Sequence, residues 1–261
     1  MEVLKSIKRP TDINWDIWID RWDQMQNRYV AMRSERFDKI VQLIEATQQP
    51  PKQILDIGCG PGSLSLRLLE SFPETEIYCI DVDPTLLWIA EVLKKKYNNR
   101  IHIFQGDLRE SSWTTHFSTS FDAIVSATAL HWLDKAQLSE LYRQINLLLD
   151  SGGIFVNADH VGCESSKIQY FWESNREQIR SEQTIVPGSD WDSFWADYAK
   201  TLGVDISKIR SPLFEDRVTG PEEGLPLSWH FDKLREAGFS TVECFLRYDC
   251  DAIYGGLKES D

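Results

Sequence analysis

Residues 54–64 read ILDIGCGPGSL, an apolar run that carries one carboxylate, Asp56, followed by Gly58, Gly60 and Gly62 and then by leucines at helical spacing. A strand that ends in a glycine turn and enters a helix brings backbone N–H groups and a helix N-terminus against a ligand. Glycine is required there because a Cβ would hold that ligand off. The spacing is GxGxG, whereas dinucleotide sites use GxGxxG. A carboxylate two residues ahead of the first glycine is electrostatically poor beside a pyrophosphate, but it suits a ligand carrying an ammonium group and a sulfonium. The loop therefore points to a cationic adenosyl ligand rather than to NAD. A tight strand-to-helix turn without a ligand is the bland alternative, and it does not need three glycines in five residues.

Further acidic residues fall at the ends of apolar runs. Asp81, in IYCIDVDP, is a ligand contact, a surface turn residue or a helix cap; Asp83 reads as the cap of a helix that starts at Pro84. Asp107, in FQGDL, carries the same choice between turn and ligand contact. Among the histidines, His131 and His160 follow apolar runs, at strand carboxyl ends where such sheets bind ligands, and each is either a base or a wall or scaffold residue. His102, at the start of a run, reads as structural.

The elements that must position these groups alternate. Residues 53–57, 76–80, 101–104, 121–126 and 153–157 are short apolar runs of the kind that form buried parallel strands. Between them lie amphipathic stripes, such as Leu86, Ile89, Ala90 and Leu93, or Leu138, Leu141, Ile145 and Leu148. This alternation predicts a parallel sheet covered on both faces. The chain divides into N-terminal helices (1–50), an alternating strand-and-helix core (51–160), a mainly helical, Trp-rich insertion (161–228), and a closing helix with two β-type runs (229–261).

Composition narrows the partners. With 28 basic and 41 acidic side chains the net charge is −13, which repels phosphate backbones and anionic lipid, so neither nucleic acid nor membrane is expected as a partner. No apolar run reaches the roughly 20 residues of a membrane span, and MEVLKSIKRP lacks signal-peptide features, so a cytoplasmic location is expected. The five cysteines are scattered and form no CxxC pair, which suggests neither a disulfide framework nor a metal site.

DIGCGPG resembles the first motif of the class I S-adenosylmethionine-dependent methyltransferases, and the motifs that follow match in order over roughly residues 35–160 and from 229 onward. The resemblance implies an α/β, Rossmann-like three-layer sandwich whose seven-stranded, mostly parallel sheet has the order 3-2-1-4-5-7-6, with strand 7 antiparallel. It implies that Asp56, Gly58, Gly60, Gly62, Asp81, Val82, Asp107, Leu108 and Ala127 hold S-adenosylmethionine and release S-adenosylhomocysteine, with no metal. Asp81 would take both ribose hydroxyls, Asp107 the adenine amino group, and Leu108 the ring; FDAIVSATALHWL would run beside the methyl group.

In the family the N-terminal helices and the insertion select the acceptor. Trp18, Trp22, Tyr29, His131, Trp132 and Trp195 are accordingly expected to line the substrate pocket, while Trp15, Trp18 and Trp22 also read as one helical stripe packed on the core. The ALHWL loop is similar to that of trans-aconitate and juvenile-hormone-acid carboxyl methyltransferases. The expected activity is methyl transfer to a small molecule by a monomer or homodimer. The alternative is a catalytically silent S-adenosylmethionine sensor or partner subunit.

Overall fold

The computed structural model describes residues 9–48, 50–182, 190–214 and 224–259. Two helices, α1 (Asp16–Gln26) and α2 (Arg33–Thr47), precede the first strand, β1 (Gln53–Ile57). Next come α3 (Ser63–Ser71), β2 (Glu76–Asp81), α4 (Pro84–Ala90), α5 (Val92–Lys96), β3 (Ile101–Gln105) and β4 (Phe121–Ala127). Then follow α6 (Lys135–Leu148), β5 (Leu149–His160), α7 (Ser166–Glu182), α8 (Trp191–Leu202) and α9 (Ile206–Phe214). The chain closes with α10 (Leu227–Glu236), β6 (Phe239–Tyr248) and β7 (Asp251–Lys258).

The sheet has the order β3-β2-β1-β4-β5-β7-β6. Strands β1 to β5 pair in parallel, and β7 runs antiparallel to both β5 and β6. Because side chains alternate across a strand, each strand feeds two cores. Ile54, Cys79, Val125 and Val156 pack with α2, α3, α4 and α8 on one face, while Leu55, Ile80, Ile124 and Phe155 pack with α6 and α10 on the other. The seven-stranded, helix-flanked architecture expected from the motif order is the one observed.

One boundary differs. The fifth strand runs from Leu149 to His160, well beyond 153–157, because its first residues are drawn into pairing with β4, across a register shift between Phe121 and Ala123. Residues 151–153, SGG, are therefore part of a bulged strand.

The region 161–228 carries α7, α8 and α9; its residues 183–189 and 215–223 lie outside the described residues. Helix α8 is not a separate layer. Its Phe194 and Tyr198 pack on Trp18 of α1, with ring centroids 5.6 and 4.6 Å away, and the Tyr198 hydroxyl donates to the Thr85 carbonyl at 2.7 Å. Helix α7, by contrast, buries none of its residues. Among the described residues no helix is long and apolar enough to cross a membrane.

A buried ion pair ties the start of the chain to its end. Arg36 on α2 donates to Asp251 on β7 at 3.3 Å, both side chains being nearly inaccessible, so Arg36 is salt-bridged inside the fold. Removing one member of such a pair strands the other charge. Arg36→Ala is expected to destabilise the fold by about 3–5 kcal/mol. Adding Asp251→Asn should recover part of that loss, as read by urea denaturation of the single and double variants.

Candidate functional site

A cavity of about 620 Å³ lies along the carboxyl ends of β1, β2, β3 and β4. Asp56 lines it from the end of β1, Gly58 and Gly60 from the loop that follows, Asp81 and Val82 from the end of β2, Asp107 and Leu108 from the loop after β3, and Ala127 from the end of β4. The structure thus brings together eight of the nine residues expected to hold the donor. Gly62 stands behind the wall: it precedes α3 at φ +87°, and a Cβ there would come within 3.0 Å of Leu93.

The loop does not work as its glycines suggest. Gly58 and Cys59 donate their N–H groups to the Ile80 carbonyl at 2.8 and 3.2 Å, Gly60 donates to Asp81 Oδ2 at 2.8 Å, and Gly62 donates to the Cys59 carbonyl at 3.0 Å. These donors are spent on holding the loop to β2 instead of facing a ligand. What the cavity receives is open space, since a Cβ built on Gly60 meets nothing closer than Leu86 at 3.8 Å and Trp22 at 4.0 Å.

The carboxylates are arranged in sequence along the wall. Asp56 is buried, accepts from the Ser65 hydroxyl at 2.6 Å, and has its pKa pushed up to about 7 by burial, opposed by Ser65 and reinforced by the nearby Asp81 charge. Asp81 accepts from Gly60 N–H through one oxygen and from Asp83 N–H (2.8 Å) through the other. Burial raises its pKa to about 6, although these hydrogen bonds hold it down. Asp83 caps α4 by accepting from the Thr85 N–H and hydroxyl (2.9 and 2.6 Å), and its other oxygen accepts from Arg210 Nε of α9 at 2.7 Å. Asp107 is clamped by Arg109, whose Nε lies at 2.7 Å and whose Nη2 reaches the second oxygen. Arg109 lines the cavity as well, so the β3 end presents a guanidinium–carboxylate pair where a lone acid was expected.

The far half of the cavity is aromatic and basic. Trp22 and Trp132 line it, joined by Phe37, Trp191 and Phe214, and by Arg33 and Arg210. Trp18 corrects the sequence expectation: it is 1% exposed and belongs to the core between α1 and α8. Trp195 is also buried, against Trp22 and Phe194, and Tyr29 opens onto a different cleft. The stripe of Trp15, Trp18 and Trp22 therefore splits, its first two members in the core and the third on the cavity wall.

His131 and His160 also lie off this wall. His131 Nδ1 pairs with Asp159 at 2.7 Å, His160 Nδ1 pairs with Asp251 at 2.7 Å, and their rings are 5.0 Å apart beside a separate small cavity. Burial opposes ionisation of Asp159, but the facing His131 and His160, with their hydrogen bonds, hold its carboxyl well below the usual range. The geometry makes these histidines partners of buried carboxylates and does not place them as bases at the cavity. Arg33 and Arg210 are lining residues that sequence reasoning missed. Each follows from a tertiary approach of α2 or α9, for which no local signal exists.

Such a lining defines a class. Two desolvated carboxylates, neither paired with a cationic side chain among the described residues, favour a cationic ligand, and Gly60 leaves room for it beside them. S-adenosylmethionine fits these residues in charge and in its sequence of groups. Sheet order and loop together are those of the Rossmann-like methyltransferase fold.

Residues 54–153 match a family model described as a methyltransferase domain, and this match, the relatives and the fold indicate a class I S-adenosylmethionine-dependent methyltransferase. It is 33% identical over 122 residues to a malonyl-[acyl-carrier protein] O-methyltransferase of Halalkalibacterium halodurans, covering 43% of this chain and 45% of that protein. It is 29% identical to a trans-aconitate 2-methyltransferase of Rhodococcus jostii (50% and 46% covered) and 30% identical to a tRNA N(3)-methylcytidine methyltransferase of Schizosaccharomyces pombe (52% and 55% covered). The matched stretches span about half the length of these relatives. The structure of human N-acetylserotonin methyltransferase in complex with SAM superposes with a TM-score of 0.55 at 15% identity, covering 93% of this chain and 57% of that one, a likeness of fold.

The raised acid at Asp56 has a sign that can be checked. A carboxyl near 4 when unfolded and about 7 when folded lets the folded state hold more protons across that interval. Its contribution is fully present below pH 4 and lost as pH rises through 7. The melting temperature of the ligand-free protein, measured from pH 4 to 8, should therefore fall with rising pH more steeply in wild type than in Asp56→Asn. Parallel curves would show that Asp56 is not desolvated.

Proposed function

We propose that the protein transfers a methyl group from S-adenosylmethionine to a small carboxylic acid held in the aromatic, arginine-bearing half of the cavity. The observation that carries this reading is the continuity of one cavity from Asp56 and Asp81 to Trp22, Trp132, Arg33 and Arg210. S-adenosylmethionine, when bound, supplies a sulfonium-activated methyl group open to in-line displacement.

The chain's own residues supply alignment and exclusion of water. Each Asp81 oxygen accepts one backbone N–H and keeps acceptor capacity for a ribose hydroxyl. Asp56 provides the negative field for an ammonium group, and the Asp107–Arg109 pair with Leu108 offers polar edge and apolar face to adenine. Val82 and Ala127 complete the wall on either side. Trp22, Trp132 and Trp191 keep water from the space where the acceptor would lie.

The acceptor reading rests on proton accounting. No histidine lines the cavity among the described residues, and a carboxylate, unlike a phenol or an amine, needs no base to become a nucleophile. Arg33 gives one N–H to Asp23 (2.7 Å) and Arg210 gives Nε to Asp83, which leaves donors on both guanidiniums for an anionic acceptor. Relatives named for malonyl-[acyl-carrier protein] and trans-aconitate support an acidic acceptor. An RNA acceptor, as named for the tRNA relative, would meet an overall charge of −13.

Calorimetry with S-adenosylmethionine, S-adenosylhomocysteine and NAD, followed by a labelled-methyl screen over mono-, di- and tricarboxylic acids, tests the proposal. Base-labile label on an acid is the expected result; tight donor binding with no label transferred to any acid would overturn it. Two variants sharpen the assignment. Asp81→Ala should weaken S-adenosylmethionine binding by about 1–3 kcal/mol through lost charge-assisted hydrogen bonds. Arg33→Met should raise KM for the acid about tenfold or more while leaving the donor Kd unchanged.

A further inference from the structure

A second cleft lies between the turn after α1, helix α7 and the β6–β7 turn, and three arginines line it: Arg28, Arg176 and Arg180. Its free volume is about 30 Å³, roughly two to three times what one water requires, so it suits a single small group rather than a whole metabolite.

The charges in this cleft are poorly matched. Arg176 and Arg180 stand four apart on α7, a spacing at which like charges face each other and weaken a helix. Arg28 adds a third guanidinium from the other wall. Among the described residues, neither the Arg28 nor the Arg176 side chain makes an ion pair or a hydrogen bond, and Arg180 reaches Glu177, itself largely exposed, only at 3.7 Å. The Arg180 Nε is buried without a hydrogen-bond partner.

Two of the nearby carboxylates, Asp249 and Asp251, line the cleft themselves, and each already has a partner other than the three arginines. Asp251 accepts from Arg36 and pairs with His160, Asp249 accepts from Asn175 Nδ2 at 2.5 Å, and Asp190 accepts from the Ser193 N–H and hydroxyl. The sequence between α7 and Asp190, QTIVPGS, contains no acidic residue. Three guanidiniums against the two carboxylates of the lining leave positive charge over in one small cleft, which suits an anion from outside.

We propose that this cleft is a binding site for one oxyanion of the phosphate or carboxylate type, gripped by Arg28, Arg176 and Arg180. Tyr29 connects the site to the methyl-transfer cavity. The Arg180 guanidinium lies 5.3 Å from its ring, and its hydroxyl accepts the Trp191 N–H at 3.3 Å, while Trp191 lines the large cavity. An anion in the cleft fixes α7 against the turn after α1, and through Tyr29 it steadies the start of α8 at the cavity rim.

The test uses the full chain with inorganic phosphate and malonate as probes, and sodium chloride of matched ionic strength as the control. Thermal melting and calorimetry should show a saturable stabilisation by phosphate, malonate or both. The affinity should fall at least about tenfold in Arg176→Ala and in Arg180→Ala, and Arg176→Lys should recover part of it. S-adenosylhomocysteine binding, measured on the same samples, reports that the variants are folded; its failure in wild type would count against the proposed donor site and leave the cleft to be judged by the phosphate and malonate arms. Stabilisation no greater than that by chloride, or equal affinity in the folded arginine variants, would overturn the proposal.

Discussion

The hydrogen bond from the Gly60 N–H to the Asp81 carboxylate is the interaction on which the site depends. It joins the loop after β1 to the end of β2, and it forms only because Gly58, Gly60 and Gly62 all take positive φ, where an L side chain would be strained. Once formed, it turns Asp81 toward the cavity with capacity left on both oxygens, and it presses the loop over Asp56, which loses its water. The two raised acidities at Asp56 and Asp81 are the electrostatic cost of that closure. A cationic ligand offsets the cost, so the same backbone geometry that builds the cradle also selects the sign of its occupant.

Around this fixed centre the acceptor half is built by helices from both ends of the sequence. Trp22 of α1 meets Trp191, Phe194 and Trp195 of α8 at centroid separations of 5.5–6.2 Å, and its ring edge also borders the space above Gly60. Trp22 is thus shared by the glycine-loop end and the aromatic end of the cavity. Ser63 at the start of α3 and Arg33 at the start of α2 both donate to Asp23 of α1, which sets the N-terminal helix against the glycine loop. The aromatic cluster supplies apolar burial and the ion pairs supply direction.

Much of this was legible in the sequence where the physics is local. The alternation of strands and helices, the positions of Asp81 and Asp107 at strand ends, and the Asp83 cap before Pro84 rest on periodicity and turn chemistry set within a few residues, whereas the strand order came from the motif resemblance. The outcome of the tryptophans was not legible. Trp18 and Trp22 stand four apart on one helix, and which of them faces a core or a cavity is decided by α8, more than 160 residues away. The histidines misled for a related reason: a position after a strand's carboxyl end says that a side chain is near the ligand edge, but His131 is turned aside by Asp159, which also accepts the Leu130 and His131 N–H groups. Arg109 escaped notice because clamping an acid two residues away depends on loop conformation and leaves no periodic trace.

The pairing of Arg210 with Asp83 has a consequence for motion. Asp83 is 1% exposed, caps α4 and sits two residues from Asp81, while Arg210 belongs to α9 on the acceptor side. Lifting α9 would pull a guanidinium off a carboxylate that has almost no access to water, so the helix is latched and not merely packed. Opening there is a charge-separation event, and its cost is set by the surroundings of Asp83 in the donor half. A molecule arriving at the acceptor half meets a latch whose strength is decided on the opposite side of the cavity.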